Sequence, residues 1–369
     1  ASDIHIEPQE KYLRVRYRID GVLHEMMQQP SSIFPSVASR IKVLAGMDIA
    51  ERRIPQDGRA TVKVDDRIID IRVASLPSAH GEKITMRLLN RSSHMITIDE
   101  LGFPAHDHER YMETIQRPYG FLLVTGPTGS GKSTTLYASL AQLNTTEKNV
   151  ITLEDPIERR MDGLNQVQMN DKAGMTFASG LRSILRSDPD VVMIGEIRDQ
   201  ETARIAVEAA LTGHFVLSTL HTNDSASAVT RLGEMGVEPF LTASALVGVV
   251  AQRLVRVLCP RCKEAHVVQR SELLAMIPDF PLEQGEKSVT LYKAKGCLSC
   301  NNTGYKGRRG VYEFLQITDE LRAMILARAS NHEIAKKGVQ NGMTTLRDDG
   351  LLKVKEGVTS LEEVLRVIV

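Results

Sequence analysis

Two patterns of apolar and polar positions divide the chain near residue 100. In the first part apolar residues alternate with basic ones, as in residues 12–19 before a turn at Asp20-Gly21, which predicts antiparallel strands. Further alternating runs meet at Asp65-Asp66, another strand is predicted over 83–89, and residues 34–45 have helical apolar spacing. We predict a small α/β domain over residues 1–98 and a polar linker over 99–105.

The second part alternates short apolar runs with helical segments, which predicts a parallel sheet covered by helices. The apolar segment 240–250 is predicted to be a core helix. A P-loop domain over 106–256, a cysteine module over 257–311 and a helical C-terminal domain over 312–369 are expected. The predicted strands are 121–125, 149–153, 190–194 and 214–220, and the predicted helices 133–143, 176–186, 199–211 and 225–235.

A complete phosphate-binding motif follows the first of these strands. Its glycines allow backbone N–H groups to surround phosphate oxygens at the start of a helix. We expect Lys132 to reach the β- and γ-phosphates and the Ser133 hydroxyl to hold Mg²⁺. The motif residues are Gly126, Pro127, Thr128, Gly129, Ser130, Gly131, Lys132, Ser133 and Thr134. This context predicts binding of a nucleoside triphosphate.

Two apolar strands end in acidic residues, which is where a parallel sheet presents groups to a phosphate loop. Glu196 ends one of them in a Walker-B-like element and is the predicted catalytic carboxylate, while Glu154 ends the other. His214 and His221 flank a further apolar strand, and an imidazole near the γ-phosphate would sense its presence. Solvated acids and structural histidines at strand ends are the alternative interpretations.

Four arginines have patterns that by themselves indicate solvent-exposed positions. Arg182 and Arg186 lie four residues apart on one stripe of a predicted helix, whereas Arg72 and Arg87 lie in predicted N-terminal strands.

The four cysteines form two C-x₂-C pairs, Cys259/Cys262 and Cys297/Cys300. Four thiolates suit tetrahedral Zn²⁺ with no open coordination position, which predicts a structural site, although the gap between the pairs exceeds that of a minimal zinc ribbon. A redox dithiol and a nucleic-acid-binding ribbon are the alternatives.

Composition narrows the function classes. The formal net charge of zero argues against a nucleic-acid partner, and no apolar stretch approaches the ~18 residues of a membrane span. The missing initiator methionine leads us to expect that further sequence precedes residue 1.

Several blocks in order closely resemble the type II secretion ATPases and the type IV pilus assembly ATPases. Besides the phosphate loop and the cysteine pairs they are residues 1–8 (ASDIHIEP), 55–59 (PQDGR), 151–158 (ITLEDPIE), 188–199 (DPDVVMIGEIRD) and 212–223 (TGHFVLSTLHTN). The resemblance covers essentially the whole chain. Residues 131–134 and 77–81 look more like the secretion branch, and the cysteine module argues against the retraction motors, which lack it.

The resemblance implies an α/β fold with a RecA-like motor domain, a mobile PAS-like N-terminal domain, and a homo-hexameric ring. It assigns Glu154 to the family's Asp box, Glu196 to Walker B, and His214 and His221 to its His box. It also directs Arg72, Arg87, Arg182 and Arg186 toward the phosphates. The family region that docks to the membrane partner is not among these residues.

The expected function is therefore an ATP-hydrolysing motor at the cytoplasmic face of the inner membrane, driving pseudopilus assembly through the cytoplasmic domains of platform proteins. A type IV pilus extension ATPase is the nearest alternative. A nucleic-acid motor and a nucleotide-gated switch with little turnover are more distant ones.

Overall fold

The computed structural model describes residues 1–64, 67–90, 95–170 and 173–368, and the chain divides into two compact units, Ala1–Met95 and Ile96–Val369. The predicted turn at Asp65-Asp66 lies outside the described residues. The strands on either side of it pair antiparallel, with Val64 opposite Arg67.

The first unit is a six-stranded antiparallel sheet with one α-helix. The strand order is β3-β2-β1-β6-β5-β4. Asp20 and Gly21 have φ values of 48° and 85°, the left-handed backbone that a two-residue hairpin turn requires. The elements are β1 (Asp3–Pro8), β2 (Tyr12–Ile19), β3 (Val22–Pro30), α1 (Phe34–Leu44), β4 (Gln56–Val64), β5 (Arg67–Ser78) and β6 (Gly81–Asn90).

A small apolar core lies between this sheet and α1. Leu13 and Ile84 are almost fully buried in it, with Ala38 of the helix packed against the same cluster. At its edge Lys42 forms an ion pair of 2.5 Å with Glu82, both nearly inaccessible to solvent. The alternation of apolar and charged positions thus folds one sheet face onto the helix.

The second unit is built on a seven-stranded sheet in the order β15-β12-β7-β11-β10-β8-β9. All pairings are parallel except that of β12 with β15. Every residue of β7 is buried, in agreement with the predicted buried parallel strand. The strands are β7 (Gly120–Thr125), β8 (Val150–Glu154), β9 (Asn165–Gln168), β10 (Val191–Ile194), β11 (Phe215–Leu220), β12 (Leu246–Leu258) and β15 (Tyr305–Gln316).

Helices cover this sheet and begin at capping residues. Side chains of Thr176, Asp199 and Asp224 accept backbone N–H groups at the starts of α5, α6 and α7. The helices are α2 (Ile98–Leu101), α3 (Ala105–Ile115), α4 (Lys132–Leu143), α5 (Phe177–Ile184), α6 (Gln200–Leu211), α7 (Ser225–Glu234), α8 (Pro239–Ala245), α9 (Arg270–Met276), α10 (Asp319–Leu326), α11 (Asn331–Gln340), α12 (Leu346–Lys355) and α13 (Leu361–Val367). The ends of α4, α5, α6 and α7 each lie within two residues of the predicted ends.

The predicted core helix over 240–250 is wrong in its second half. Helix α8 ends at Ala245, and β12 begins at Leu246 and pairs with β7. An apolar run beside a fully buried strand has no polar face that would distinguish helix from strand.

The cysteine module lies between β12 and β15 and adds a small hairpin of β13 (Glu264–Gln269) and β14 (Ser288–Lys293). The segment predicted as a linker, 99–105, overlaps α2, and its Phe103 ring stacks on Tyr312 within the second unit. Across the described ranges, no helix combines the length and apolarity that crossing a bilayer demands.

Candidate nucleotide site and cysteine cluster

The phosphate loop connects β7 to α4 in the middle of the central sheet. Gly126 and Gly131 have φ values of 147° and 91°. A Cβ on Gly126 would lie 2.5 Å from the Gln252 carbonyl, and one on Gly131 2.7 Å from the Gln252 amide nitrogen. These two glycines are required both by backbone conformation and by the close approach of β12.

Lys132 begins α4 and folds back over the loop. Its ammonium donates to the carbonyls of Gly126 at 2.7 Å and Pro127 at 3.1 Å. Burial and, to a smaller extent, the Arg253 charge outweigh the opposing effect of Glu196 and lower the pKa of Lys132 to about 8. Bound phosphates would take the place of the two carbonyls and favour the charged amine.

Two residues of β12 complete the loop and were missed by the sequence reasoning. Buried Gln252 donates through Nε2 to the Ser130 carbonyl at 2.6 Å and accepts from the Thr135 hydroxyl at 2.8 Å. Arg253, next to it, donates to the Asn223 carbonyl at 3.1 Å. Gln252 and Arg253 are polar residues directly after an apolar run, which was a signal that they face a site. Because that run was predicted to be a helix, their place on a strand beside the phosphate loop was not recognised.

Glu196, His221 and Arg198 form a polar group at the carboxyl edge of the sheet. His221 Nε2 lies 3.2 Å from Glu196 Oε2, and Arg198 forms an ion pair with Oε1 of the same carboxylate. Burial alone would raise the pKa of Glu196, but hydrogen bonds from Arg198 and His221 outweigh it and lower the pKa. The carboxylate is therefore ionised at neutral pH. Arg198 was not singled out from the sequence, although it follows Glu196 by two positions.

Glu154 has a different environment. Its carboxylate is buried and accepts hydrogen bonds from the Tyr137 hydroxyl, from Thr152 Oγ1 at 2.7 Å and from Gln166 Nε2 at 3.0 Å. Tyr137 lies on α4, the helix that follows the phosphate loop. Glu154 thus connects β8 to α4, and three donors use most of the acceptor positions of its carboxylate.

The two histidines lie at opposite ends of β11. His221 follows the strand at the phosphate-loop edge, where Thr125 and Thr222 join their hydroxyls at 2.7 Å. His214 precedes the strand, and its Nδ1 lies 2.9 Å from the Ala209 carbonyl. A strand of six residues separates them by about 20 Å, so of the two histidines it is His221 that contacts Glu196.

Arg182 and Arg186 are exposed on and just beyond α5. Arg182 pairs with Glu201 at 2.5 Å, and Arg186 lies 3.4 Å from the Ser183 hydroxyl. Among the described residues, neither side chain forms a hydrogen bond or ion pair with the phosphate loop.

Arg72 and Arg87 belong to the first unit. They are directly opposite each other on β5 and β6, so they share one face of that sheet. Arg87 donates through Nε to Asp3 of β1 at 3.0 Å. The fold thus places the two arginines side by side on one face of the sheet.

The cysteines converge as predicted. The four thiol sulfurs lie within 4.8 Å of one another, with Cys259–Cys297, Cys262–Cys300 and Cys297–Cys300 separations of 3.9, 3.8 and 3.8 Å. Zinc–sulfur bonds of about 2.3 Å in a tetrahedron place sulfurs about 3.8 Å apart. Backbone N–H groups of Cys297 and Gly304 each donate to the Cys300 sulfur at 3.2 Å. The donor set and spacing fit a tetrahedral metal site.

A phosphate loop after an interior strand of the parallel sheet, with acids ending other parallel strands of that sheet, defines a P-loop ATPase of the RecA-like class. The chain is 52% identical over 367 residues to the "Type II secretion system ATPase E" of Vibrio cholerae, covering all of this chain and 72% of that protein. It is 49% identical over 368 residues to the "Type IV pilus assembly ATPase PilB" of Myxococcus xanthus, covering 99% of this chain and 64% of the other.

The fold is also similar to the X-ray structure of the Legionella pneumophila ATPase DotB. The TM-score is 0.71 with 22% identity, over 99% of this chain and 91% of that one. The family model "Type II/IV secretion system protein" matches residues 1–366. The chain belongs to the type II/IV secretion system protein family and is one of its ATPases.

Proposed function

We propose that this chain hydrolyses ATP as a subunit of a homo-hexameric ring and powers assembly of the pseudopilus in type II secretion. The observation that supports this most directly is the group of Lys132, Glu196 and His221 at one edge of the parallel sheet, beside the phosphate loop. This arrangement supplies a phosphate-binding cation and an ionised carboxylate, with an imidazole that contacts that carboxylate.

In this proposal the backbone of residues 126–134 surrounds the phosphates, and Lys132 leaves the carbonyls of Gly126 and Pro127 to bind them. The exposed Ser133 hydroxyl at the start of α4 is the expected ligand of Mg²⁺, which prefers oxygen donors. The metal neutralises charge on the phosphate oxygens. Desolvation of Lys132 makes its exchange of carbonyls for phosphates favourable.

Glu196 is assigned to orienting the attacking water. Its lowered pKa keeps it an acceptor at neutral pH. His221 and Arg198 hold one carboxylate oxygen each, which fixes the direction of the remaining lone pairs. Glu154 is assigned to positioning α4 through Tyr137, because three protein donors already use most of the acceptor positions of its carboxylate.

The arginines are assigned to stabilising the transferring phosphoryl group. Arg72 and Arg87 lie side by side in the first unit, so a single movement of that sheet would deliver both charges. Arg182 and Arg186 are exposed on the second unit, where they are available to a neighbouring subunit. His214, remote from His221, is assigned to the same role in the ring.

The ring would act at the cytoplasmic face of the inner membrane on the cytoplasmic domains of platform proteins, and the four cysteines would hold one structural Zn²⁺. Identity of 52% to a type II secretion ATPase and 49% to a pilus assembly ATPase keeps pilus extension as the second candidate.

The proposal is tested by measuring the ATP hydrolysis rate per subunit against protein concentration, with and without forced hexamerisation. The rate should rise steeply as rings form and vanish in Lys132→Ala. A rate per subunit that stays constant while hexamers accumulate would contradict a ring-dependent motor. Stimulation by DNA in place of ring formation would favour a nucleic-acid motor.

A further inference from the structure

A buried chain of side chains leads from the phosphate loop to the segment at the start of the second unit. It begins at Gln252, which donates to the Ser130 carbonyl at 2.6 Å and accepts from the Thr135 hydroxyl at 2.8 Å. Gln252 is 1% exposed and reaches the loop from the neighbouring strand. A buried amide with both ends satisfied fixes the orientation of the peptide group that it binds.

The chain continues along α4. Ser139 donates to the Thr135 carbonyl at 2.8 Å, and its oxygen lies 2.6 Å from the hydroxyl of Tyr111. Since the single Ser139 proton is used on Thr135, Tyr111 is the donor of that second bond. Thr135, Ser139 and Tyr111 are each 0% exposed, so water does not compete for these bonds.

The last step is aromatic. The Phe103 ring stacks on Tyr111 with centroids 4.9 Å apart and on Tyr312 at 4.0 Å. Tyr312 lies opposite Gln252 in the β12–β15 pairing, and its hydroxyl donates to the Leu101 carbonyl at 3.4 Å. Phe103 and Leu101 belong to residues 98–103, which contain α2 and lie close to the first unit in sequence.

We propose that Gln252 is a positioning residue of the phosphate loop, and that these contacts make residues 98–103 respond to nucleotide. The named chain, hereafter the relay, consists of Ser130, Gln252, Thr135, Ser139, Tyr111 and Phe103. Within the proposed motor function, on which this inference rests, the relay carries the state of the loop to residues 98–103, the segment that follows the first unit in the chain.

Lys132 supplies the change that the relay detects. It now holds the carbonyls of Gly126 and Pro127, and phosphate binding removes that donor from the first half of the loop. Gln252 holds the second half of the loop through the Ser130 carbonyl. A movement of the loop therefore pulls on Gln252, which passes the displacement to Thr135 through their hydrogen bond. Close packing of buried groups makes such a shift discrete.

The test is hydrogen exchange of the full chain with and without ADP, read at the backbone amides of residues 98–103. Nucleotide should slow exchange there in the wild type. Gln252→Met keeps the volume and removes both hydrogen bonds, and Ser139→Ala breaks the relay away from the loop. Both should reduce the nucleotide-dependent change about threefold or more, as loss of one or two buried bonds predicts.

Nucleotide affinity separates the two parts of the proposal. Gln252→Met should weaken ADP binding about threefold to tenfold, whereas Ser139→Ala should leave it within twofold. Thr114→Val is the matched control, because its buried hydroxyl bonds only to the Arg110 carbonyl of its own helix. It should leave both affinity and exchange unchanged.

Two substitutions of Thr135 distinguish loss of a hydrogen bond from misfolding. Thr135→Ser keeps the hydroxyl and should behave as wild type, while Thr135→Val should behave as Gln252→Met. Wild-type affinity and exchange in folded Gln252→Met and Ser139→Ala would overturn the relay. None of these readouts needs ATP turnover, so failure of the proposed motor function would show separately in hydrolysis rates.

Discussion

His221 Nε2 lies 3.2 Å from Glu196 Oε2, although 25 residues separate the two along the chain. Parallel pairing of β10 with β11 produces this contact, because both strands end at the same edge of the sheet. The other carboxylate oxygen is held by Arg198. The contact brings one predicted acid together with one predicted histidine, whereas His214 lies at the other end of β11.

Replacing Glu196 by Gln should lower kcat about 10²- to 10⁴-fold, the range typical of a lost acid–base or water-orienting group. Nucleotide affinity should change little, because the phosphate loop is untouched. The measurement is steady-state ATP hydrolysis together with ADP binding by calorimetry. Glu208→Gln is the matched control, since Glu208 is an exposed acid on α6 that pairs with Arg204. Equal rates in the two variants would remove Glu196 from the mechanism.

The histidines should differ in their effect. His221→Ala removes a hydrogen bond to Glu196 and should reduce kcat about tenfold to a hundredfold. His214→Ala should reduce the rate less than about threefold in dilute protein, because it lies at the far end of β11, about 20 Å away. Rates measured below and above the concentration of ring formation provide the comparison. Equal losses of rate in His221→Ala and His214→Ala at every protein concentration would contradict different roles for the two histidines.

The four predicted strands of the central sheet, β7, β8, β10 and β11, are confirmed, because each is a short apolar run, whereas β9 and β15 were not predicted. β7, β10 and β11 are fully buried, so their composition alone distinguished them. The phosphate loop was equally evident, because the spacing of its glycines, lysine and serine determines which groups meet the phosphates. β12 was assigned incorrectly at its start, where α8 passes directly into strand.

Long-range contacts could not be predicted in the same way. Gln252 and Arg253 reach the loop only because β12 pairs with β7, a pairing of residues more than 120 positions apart. Glu154 and Glu196 both end apolar strands, yet the Tyr137 hydroxyl donates to the carboxylate of Glu154, whereas His221 contacts that of Glu196. Burial and partners, which depend on packing, decide such differences.

Nucleotide affinity should depend on pH through Lys132. The pKa of its amine is about 8 without nucleotide, and bound phosphates raise the pKa because they favour the charged form. Binding therefore takes up a proton, so affinity is full below pH 8 and falls by up to about tenfold per pH unit above it. ADP binding measured from pH 7 to 9.5 tests this. Lys132→Gln should bind weakly with no such slope, and a flat wild-type profile would contradict the lowered pKa.

The arginine pair of the first unit should contribute to turnover. Arg72→Ala and Arg87→Ala should each lower kcat about tenfold or more while nucleotide affinity stays within about threefold, as expected for charges used mainly in the transition state. Arg14→Ala is the control, since Arg14 lies in the same sheet and pairs with Glu7 at 3.1 Å. If the rate falls equally in all three, general loss of the domain and not phosphate stabilisation explains the effect.

The cysteine cluster should hold one Zn²⁺ per chain and stabilise the fold around β12 and β15. Elemental analysis of freshly purified protein should give close to one zinc, and Cys297→Ser should lower this content and the melting temperature by about 5 °C or more. A strong chelator should have the same effect on wild-type protein. Ser288→Ala, a substitution in the module away from the four sulfurs, should leave both quantities unchanged. The prediction fails if the zinc content is well below one per chain and Cys297→Ser melts at the wild-type temperature. The four thiols would then serve another purpose, and a thiol reagent would react with all four without releasing metal.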